Sequence, residues 1–345
     1  MNFTKAKRYW QALKRSKGGL ALSKAGILNY AKHKVMPYSS YLGFSPVLLT
    51  LITTTKCNLN CPFCVQQKLS SNRQPQDMSA QFVSRLLDMQ ILKGLLGAGI
   101  NGGEPLLNKE LIGIIKEIKK RRLLCGMITN GTLLKNRVRE LAKAGLEEIQ
   151  LSVYDNTVEK LTDIIPDESK YIPVNASYVL LKSVLLKDPK RVEKIIKICA
   201  DMGCNSLKFN ICQPCGLDIS ETIFDDCRQY EEFIKEQKAL NHKIDIFYPG
   251  AVKRKISGKK DKQCRMTWQS IIVDNEGYCS MCCDYMARDL KSSQTAPIFD
   301  EDSSKTYNSK VLVEIRKNML SNDSNVYTSC KNCPMLCGKA FGSKI

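Results

Sequence analysis

Beyond residue 45 the chain alternates short β-branched, apolar runs with longer stretches whose apolar positions recur every three or four residues. The short runs predict strands at 47–53, 95–100, 123–129, 147–153, 172–180 and 206–211. The longer stretches predict helices at 79–93, 109–122, 135–144, 156–164, 188–202 and 222–240. Ser79 is placed to cap the first helix, and Asp188 followed by Pro189 to open the fifth. Six strands separated by helices imply parallel βα units, and so an α/β fold built as an open or closed barrel. In such barrels the reactive groups lie on loops past the C-terminal strand ends.

Residues 246–345 have another character. They are rich in Cys, Ser, Lys and Asn, and hold seven of the sixteen cysteines. The expected division is a basic N-terminal segment at 1–45, a barrel at 46–245 and a smaller Cys-rich domain at 246–345. The stretch 291–309 reads as a polar surface loop.

Composition narrows the class. A chain of 345 residues with 43% hydrophobic and 25% charged residues has the make-up of a soluble globular protein. No apolar run approaches the roughly 20 residues that cross a bilayer, and no signal peptide is evident, so the expected location is the cytoplasm. Sixteen cysteines there point to metal or redox chemistry rather than a disulfide framework. The net charge of +19 is uneven: residues 1–76 carry twelve Lys or Arg, and the first acidic residue is Asp77. Phe3, Ala6, Trp10 and Leu13 recur at helical spacing among these lysines and arginines. This segment reads either as a contact with an anionic membrane or acidic substrate, or as a solvated helix packed across the barrel by its aromatic face. No groove-reading motif accompanies the charge, so nucleic acid is not an expected partner.

The first strand is followed by Thr55-Lys56-Cys57-Asn58-Leu59-Asn60-Cys61-Pro62-Phe63-Cys64. Three thiolates in eight residues can hold three irons of a cubane cluster and leave the fourth iron open. A zinc knuckle is the alternative, but zinc sites close with four ligands. The chain has only two histidines, His33 and His242, and no fourth cysteine near Cys64. After the second strand comes Asn101-Gly102-Gly103-Glu104-Pro105, where glycines admit close backbone approach and a carboxylate can accept from an ammonium group. The third strand ends in Ile128-Thr129-Asn130-Gly131-Thr132, and the fourth in Leu151-Ser152-Val153-Tyr154-Asp155.

Together these segments resemble the radical S-adenosylmethionine (SAM) superfamily. The resemblance implies a partial (βα)6 barrel, a 4Fe–4S cluster held by Cys57, Cys61 and Cys64, and SAM chelated to the open iron. By the same resemblance Gly102, Gly103, Glu104 and Pro105 bind the SAM amino group, Ser152 its carboxylate or ribose, Asn130 forms pocket wall, and Phe63 lies by the adenine. Cys264, Cys282 and the pair Cys330 and Cys333, with a turn at Asn275-Glu276-Gly277, resemble the SPASM and twitch domains appended to many such enzymes. They are therefore expected to hold a second, auxiliary 4Fe–4S cluster; four cysteines suit zinc equally. Cys125, Cys199, Cys204 and Cys227 read as core residues, whereas Cys212 and Cys215, at the sixth strand's end, are candidate hydrogen donors.

The implied activity is reductive cleavage of SAM and removal of a substrate hydrogen atom, with a flavodoxin or ferredoxin as reductant. The expected outcome is oxidation of a sugar, aminocyclitol or glycan carbon with the auxiliary cluster as electron acceptor. The alternatives are maturation of a ribosomally made peptide, by cross-linking or epimerisation, and a non-enzymatic iron–sulfur or zinc scaffold.

Overall fold

The computed structural model describes residues 23–64, 76–165, 170–212, 219–252, 266–280, 298–299 and 306–321. The strands are β1 (Leu48–Ile52), β2 (Gly97–Asn101), β3 (Leu124–Thr129), β4 (Glu148–Val153), β5 (Val174–Leu180), β6 (Ser206–Ile211), β7 (Asp245–Phe247), β8 (Ser270–Val273) and β9 (Cys279–Ser280). They form one sheet in the order β7-β6-β5-β4-β3-β2-β1-β8-β9. Every pairing from β7 to β8 is parallel and the β8–β9 hairpin is antiparallel. The helices are α1 (Lys24–Val35), α2 (Ala80–Asp88), α3 (Leu111–Lys120), α4 (Val138–Ala144), α5 (Val158–Leu161), α6 (Lys182–Lys187), α7 (Pro189–Asp201), α8 (Arg228–Ala239), α9 (Met266–Gln269) and α10 (Lys310–Leu320).

The first six strands stand where hydrophobic patterning places them. In β5, Val174, Ala176, Tyr178 and Leu180 are buried while Asn175, Ser177 and Val179 are half-exposed, so one sheet face is core and the other open. Apolar stripes cover the core face: Leu111, Ile114, Ile115 and Ile118 from α3, and Val192, Ile195, Ile196 and Cys199 from α7. Each fully buried side chain of this kind contributes roughly 1.5–3 kcal/mol. Ser79 accepts from the Phe82 amide (3.1 Å), and Asp188 from that of Arg191 (3.1 Å), as their cap positions require.

Four features depart from the sequence expectation. The helix from 79 stops at Asp88, because Met89 is extended (ψ 137°) and a 3-10 turn follows at Gln90–Leu92. β7 is only three residues long. β8 is buried at all four positions, so no alternation marks it. This strand from the 246–345 stretch pairs directly with β1, Leu48 opposite Ser270. Finally, the described residues of 291–309 are not a surface loop: Ile298, Thr306 and Tyr307 are buried, the Ile298 amide donates to the Gly277 carbonyl (2.7 Å), and Phe299 packs edge-on against Phe82.

Buried Arg316 of α10 fastens this region to the chain before β1. It donates to the carbonyls of Thr267 (3.0 Å), Tyr307 (2.8 Å) and Ser40 (3.3 Å) and to Asn308 Oδ1 (3.1 Å). Trp268 beside it is fully buried, stacks on Tyr38 at 4.8 Å and donates to the Ser39 carbonyl (2.7 Å). The expected turn at Asn275-Glu276-Gly277 joins β8 to β9. Asp274 Oδ1 accepts from the Glu276 and Tyr278 amides, and Gly277 has φ 92°. Among the described residues no helix is long and apolar enough to cross a membrane.

Candidate active site

The C-terminal ends of β1 to β4 share one edge of the sheet, and the sequence-predicted residues of 57–152 gather there. β1 continues through Thr53 to Lys56 beside the segment that follows β2. The Gly103 amide donates to the Thr54 carbonyl (2.8 Å) and the Glu104 amide to that of Lys56 (2.7 Å), a short backbone ladder. Its closeness explains the glycine pair. A Cβ on Gly102 would lie 2.5 Å from the Thr54 carbonyl oxygen. One on Gly103 would overlap the Lys56 carbonyl, 2.6 Å from its carbon. The glycines thus admit the backbone of the cysteine loop itself. Lys56 and Thr54 are held in turn by Asp77, at 2.7 and 2.6 Å.

Glu104 is fully buried. Its Oε1 accepts from the Leu106 amide (3.1 Å) and Thr129 Oγ1 (2.7 Å), and its Oε2 from the Asn130 amide (2.8 Å). Burial pushes its carboxyl above the usual range, while these donors work in the opposite direction. A carboxylate offers about four acceptor positions, so one position on Oε2 remains for a further donor. Asn130 is committed too: its Nδ2 donates to Asn58 Oδ1 (2.9 Å) and its Oδ1 accepts from the Thr132 amide (3.0 Å) and hydroxyl (2.7 Å). Asn58 Nδ2 completes the triangle on Thr132 Oγ1 (2.8 Å). Since Asn58 lies between Cys57 and Cys61, this network fixes the cysteine loop to the end of β3.

Cys57 is exposed, and Cys61 and Cys64 are half-buried. The Cys64 amide donates to the Cys61 carbonyl (3.0 Å), which turns the loop back on itself. Burial raises the Cys57 thiol and, with the neighbouring Cys64, pushes that of Cys61 up to about 11. The hydroxyl of Tyr154 donates to Cys61 and accepts from Ser152, and its ring lies 5.9 Å from that of Phe63. Tyr154 and Asn58 are the site residues that sequence reasoning passed over. Period-two alternation from Ser152 was the signal for Tyr154; nothing in the spacing marked Asn58.

The donor set fits an iron–sulfur cluster. A single zinc draws its thiolates to about 2.3 Å. Among the described residues no three His, Cys, Asp or Glu side chains converge closely enough to hold one metal ion. A cubane instead spreads its thiolates over separate irons and supplies the positive charge that thiols raised by burial lack.

Cys125, Cys199, Cys204 and Cys227 are buried core residues, as expected. Cys212 is buried at the end of β6, its thiol raised by burial and by the charge of Glu221. Cys215, Cys264, Cys282, Cys330 and Cys333 lie outside the described residues.

Residues 51–222 match the radical SAM superfamily. Probable GTP 3',8-cyclase of Methanococcus maripaludis strain C5 is 30% identical over 205 residues, 57% of this chain and 62% of the relative. PqqA peptide cyclase of Granulibacter bethesdensis is 34% identical over 115 residues, 33% of this chain and 30% of the relative. The chain spans about three fifths or less of the length of these curated relatives. Among solved structures, Streptococcus suis SuiB bound to precursor peptide SuiA superposes with a TM-score of 0.64 at 16% identity, over 97% of this chain and 82% of that one. AnSMEcpe with bound AdoMet gives 0.52 at 16% identity, over 85% and 88%. The cysteine loop at the end of β1, the glycine ladder that fixes it and the parallel sheet beneath agree with that match, and the chain is an enzyme of the radical SAM superfamily.

Proposed function

We propose that the protein matures a peptide substrate by hydrogen-atom abstraction. One observation carries the reading. Among the described residues the sheet is open, with β7 and β9 at its two edges, and its uncovered face carries Gln150, Ser152, Ser177 and Asn210 at half-exposed positions. An open polar face admits an extended chain from the side. The solved SuiB complex with a precursor peptide and the PqqA peptide cyclase relative support a peptide over a sugar or aminocyclitol carbon.

Cys57, Cys61 and Cys64 are the residues proposed to hold the cluster, and Cys264, Cys282, Cys330 and Cys333 an auxiliary one. When bound, the cluster and SAM supply a one-electron reductive cleavage that gives methionine and a 5'-deoxyadenosyl radical. The chain's own part is placement. The 102–104 ladder fixes the cysteine loop, and the last acceptor position of Glu104 suits an ammonium group. Ser152 and Tyr154 orient Cys61, and Phe63 offers a ring face for a purine. A flavodoxin or ferredoxin is the proposed reductant.

The test is 5'-deoxyadenosine formation by anaerobically reconstituted protein with SAM, a strong reductant and a short peptide encoded beside its gene. The wild type is expected to form 5'-deoxyadenosine and to remove the mass of two hydrogens from the peptide. The Cys57→Ala, Cys61→Ala, Cys64→Ala triple variant is expected to do neither. Turnover of a monosaccharide with an unchanged peptide would overturn the peptide reading, and no 5'-deoxyadenosine from fully loaded wild type would overturn radical initiation.

A further inference from the structure

Helix α1 packs with its polar side inward. Gly26, Asn29 and His33 are its buried residues. Asn29 Nδ2 reaches the carbonyls of Ser45 (2.9 Å), Gly94 (2.9 Å) and Pro46 (3.2 Å), and His33 Nε2 that of Ser45 (3.0 Å). Gly26 sits so close to the chain at Leu95 that a Cβ would run into its carbonyl oxygen. With 3.6 residues per turn, Ile27, Leu28, Ala31 and Val35 fall on the opposite side. There Leu28 is 65% and Val35 80% exposed, and beyond the helix Met36 and Tyr41 are exposed too. Lys24, Lys32 and Lys34 stand exposed among and beside them. An ordinary surface helix is arranged the other way round, and a contiguous exposed apolar face marks an interaction site.

We propose that this face of α1 lies in the headgroup region of an anionic bilayer. Charge selects the occupant. Residues 1–76 carry twelve Lys or Arg and no acidic side chain, so a second copy of the same face would bring lysine against lysine. Anionic lipid would instead gain three lysine contacts around an apolar centre. The lysine stems bury along the apolar surface while their heads stay at phosphate level, and Ile27, Leu28 and Val35 enter the acyl boundary. Such contact would hold the sheet edge beside a membrane-borne or membrane-destined substrate, and it stands independently of the peptide reading.

The experiment is flotation of the full chain with phosphatidylglycerol–phosphatidylcholine vesicles and with pure phosphatidylcholine vesicles, at low and high salt. Binding to the anionic vesicles alone, weakened by salt, is the expected result. Lys24→Gln, Lys32→Gln, Lys34→Gln is expected to weaken it on the order of a hundredfold. Ile27→Ser, Leu28→Ser, Val35→Ser is expected to abolish insertion while circular dichroism and SAM binding stay unchanged, since all three positions face outward. Absence of wild-type binding would overturn the proposal. So would binding that survives both variants, which would assign the attraction to residues 1–22. A dimer that the serine variant splits, with no vesicle binding, would assign the face to a second copy and overturn it equally.

Discussion

Replacing Gly103 by alanine isolates the contact that places the cysteine loop. Gly103 has no positive φ, so the backbone tolerates a side chain and the effect is steric alone. The new Cβ would stand 2.6 Å from the Lys56 carbonyl carbon and 3.2 Å from the Cys57 amide nitrogen. Ordinary contact begins at 3.4 Å, so Lys56 must retreat by at least about 0.8 Å and carry Cys57 with it. Overpacking of this kind costs about 1–3 kcal/mol. The Gly103–Thr54 and Glu104–Lys56 hydrogen bonds would stretch with it, at about 0.5–1.5 kcal/mol each. A total near 2 kcal/mol or above corresponds to a factor of about thirty in an equilibrium constant. The expected result is SAM binding weakened at least about thirtyfold, with reduced iron content, in a protein whose circular dichroism is unchanged. Gly99→Ala, in β2 just before this segment, is the control, because its Cβ would meet nothing closer than 3.9 Å. Native iron content and SAM affinity in Gly103→Ala would refute the reasoning.

Three further perturbations read other parts of the molecule. Arg316→Lys replaces a guanidinium bonded to four oxygens by a single ammonium, and is expected to cost about 3 kcal/mol in denaturant unfolding. Asn130→Ala removes the clamp on Asn58 and is expected to slow 5'-deoxyadenosine formation about tenfold while costing only about 1–2 kcal/mol of stability; unchanged turnover would count against the clamp. Burial holds His33 below its ordinary 6.5, against the raising effect of its bond to the Ser45 carbonyl. As pH falls through 6.5 the unfolded chain takes up a proton that the folded one resists, so stability is full above that value and declines toward the lower folded pKa. His33→Gln is expected to flatten that dependence in thermal unfolding across the mildly acidic range.

Sheet and site were legible to different depths. Six strands could be read because each alternates on a one-sided core or ends at a turn, and α3 and α7 because their apolar residues recur at helical spacing. β8 could not, since a strand buried on both faces carries no period. The polarity of α1 was hidden because a small residue, an amide and an imidazole face inward there. Cys57, Cys61, Cys64 and the segment 102–105 were legible from composition and spacing. Their mutual arrangement was not: Gly102 and Gly103 read as room for a ligand, whereas their absent Cβ atoms make room for Thr54 and Lys56. Glu104 read as a ligand group, yet two of its acceptor positions tie the segment after β2 to the end of β3, and a third caps its own turn at Leu106. Only contacts between residues distant in sequence carry that information, and no local pattern encodes them.

The same contacts decide how the thiols are presented. In a zinc finger the metal supplies the folding energy, and the ligands are unplaced without it. Here the loop is positioned by groups other than its thiols. The Thr54 and Lys56 carbonyls bind the 103–104 amides, Asp77 holds Lys56, and Asn58 is locked to Asn130 and Thr132. At the thiols themselves, Tyr154 bonds Cys61, and the backbone at Asn58 and Leu59 bonds Cys57. The frame is therefore assembled by backbone and amide bonds at the ends of β1, β2 and β3, and the thiolates meet their irons from a fixed base. Two consequences follow for the chemistry. Removing all three thiols leaves the frame standing, so the triple alanine variant separates loss of the cluster from loss of the fold. Shifting the frame without touching a thiol, as in Gly103→Ala, separates position from ligation. If both variants lose SAM cleavage while keeping their fold, catalysis depends on holding the irons at one place above the sheet as well as on binding them.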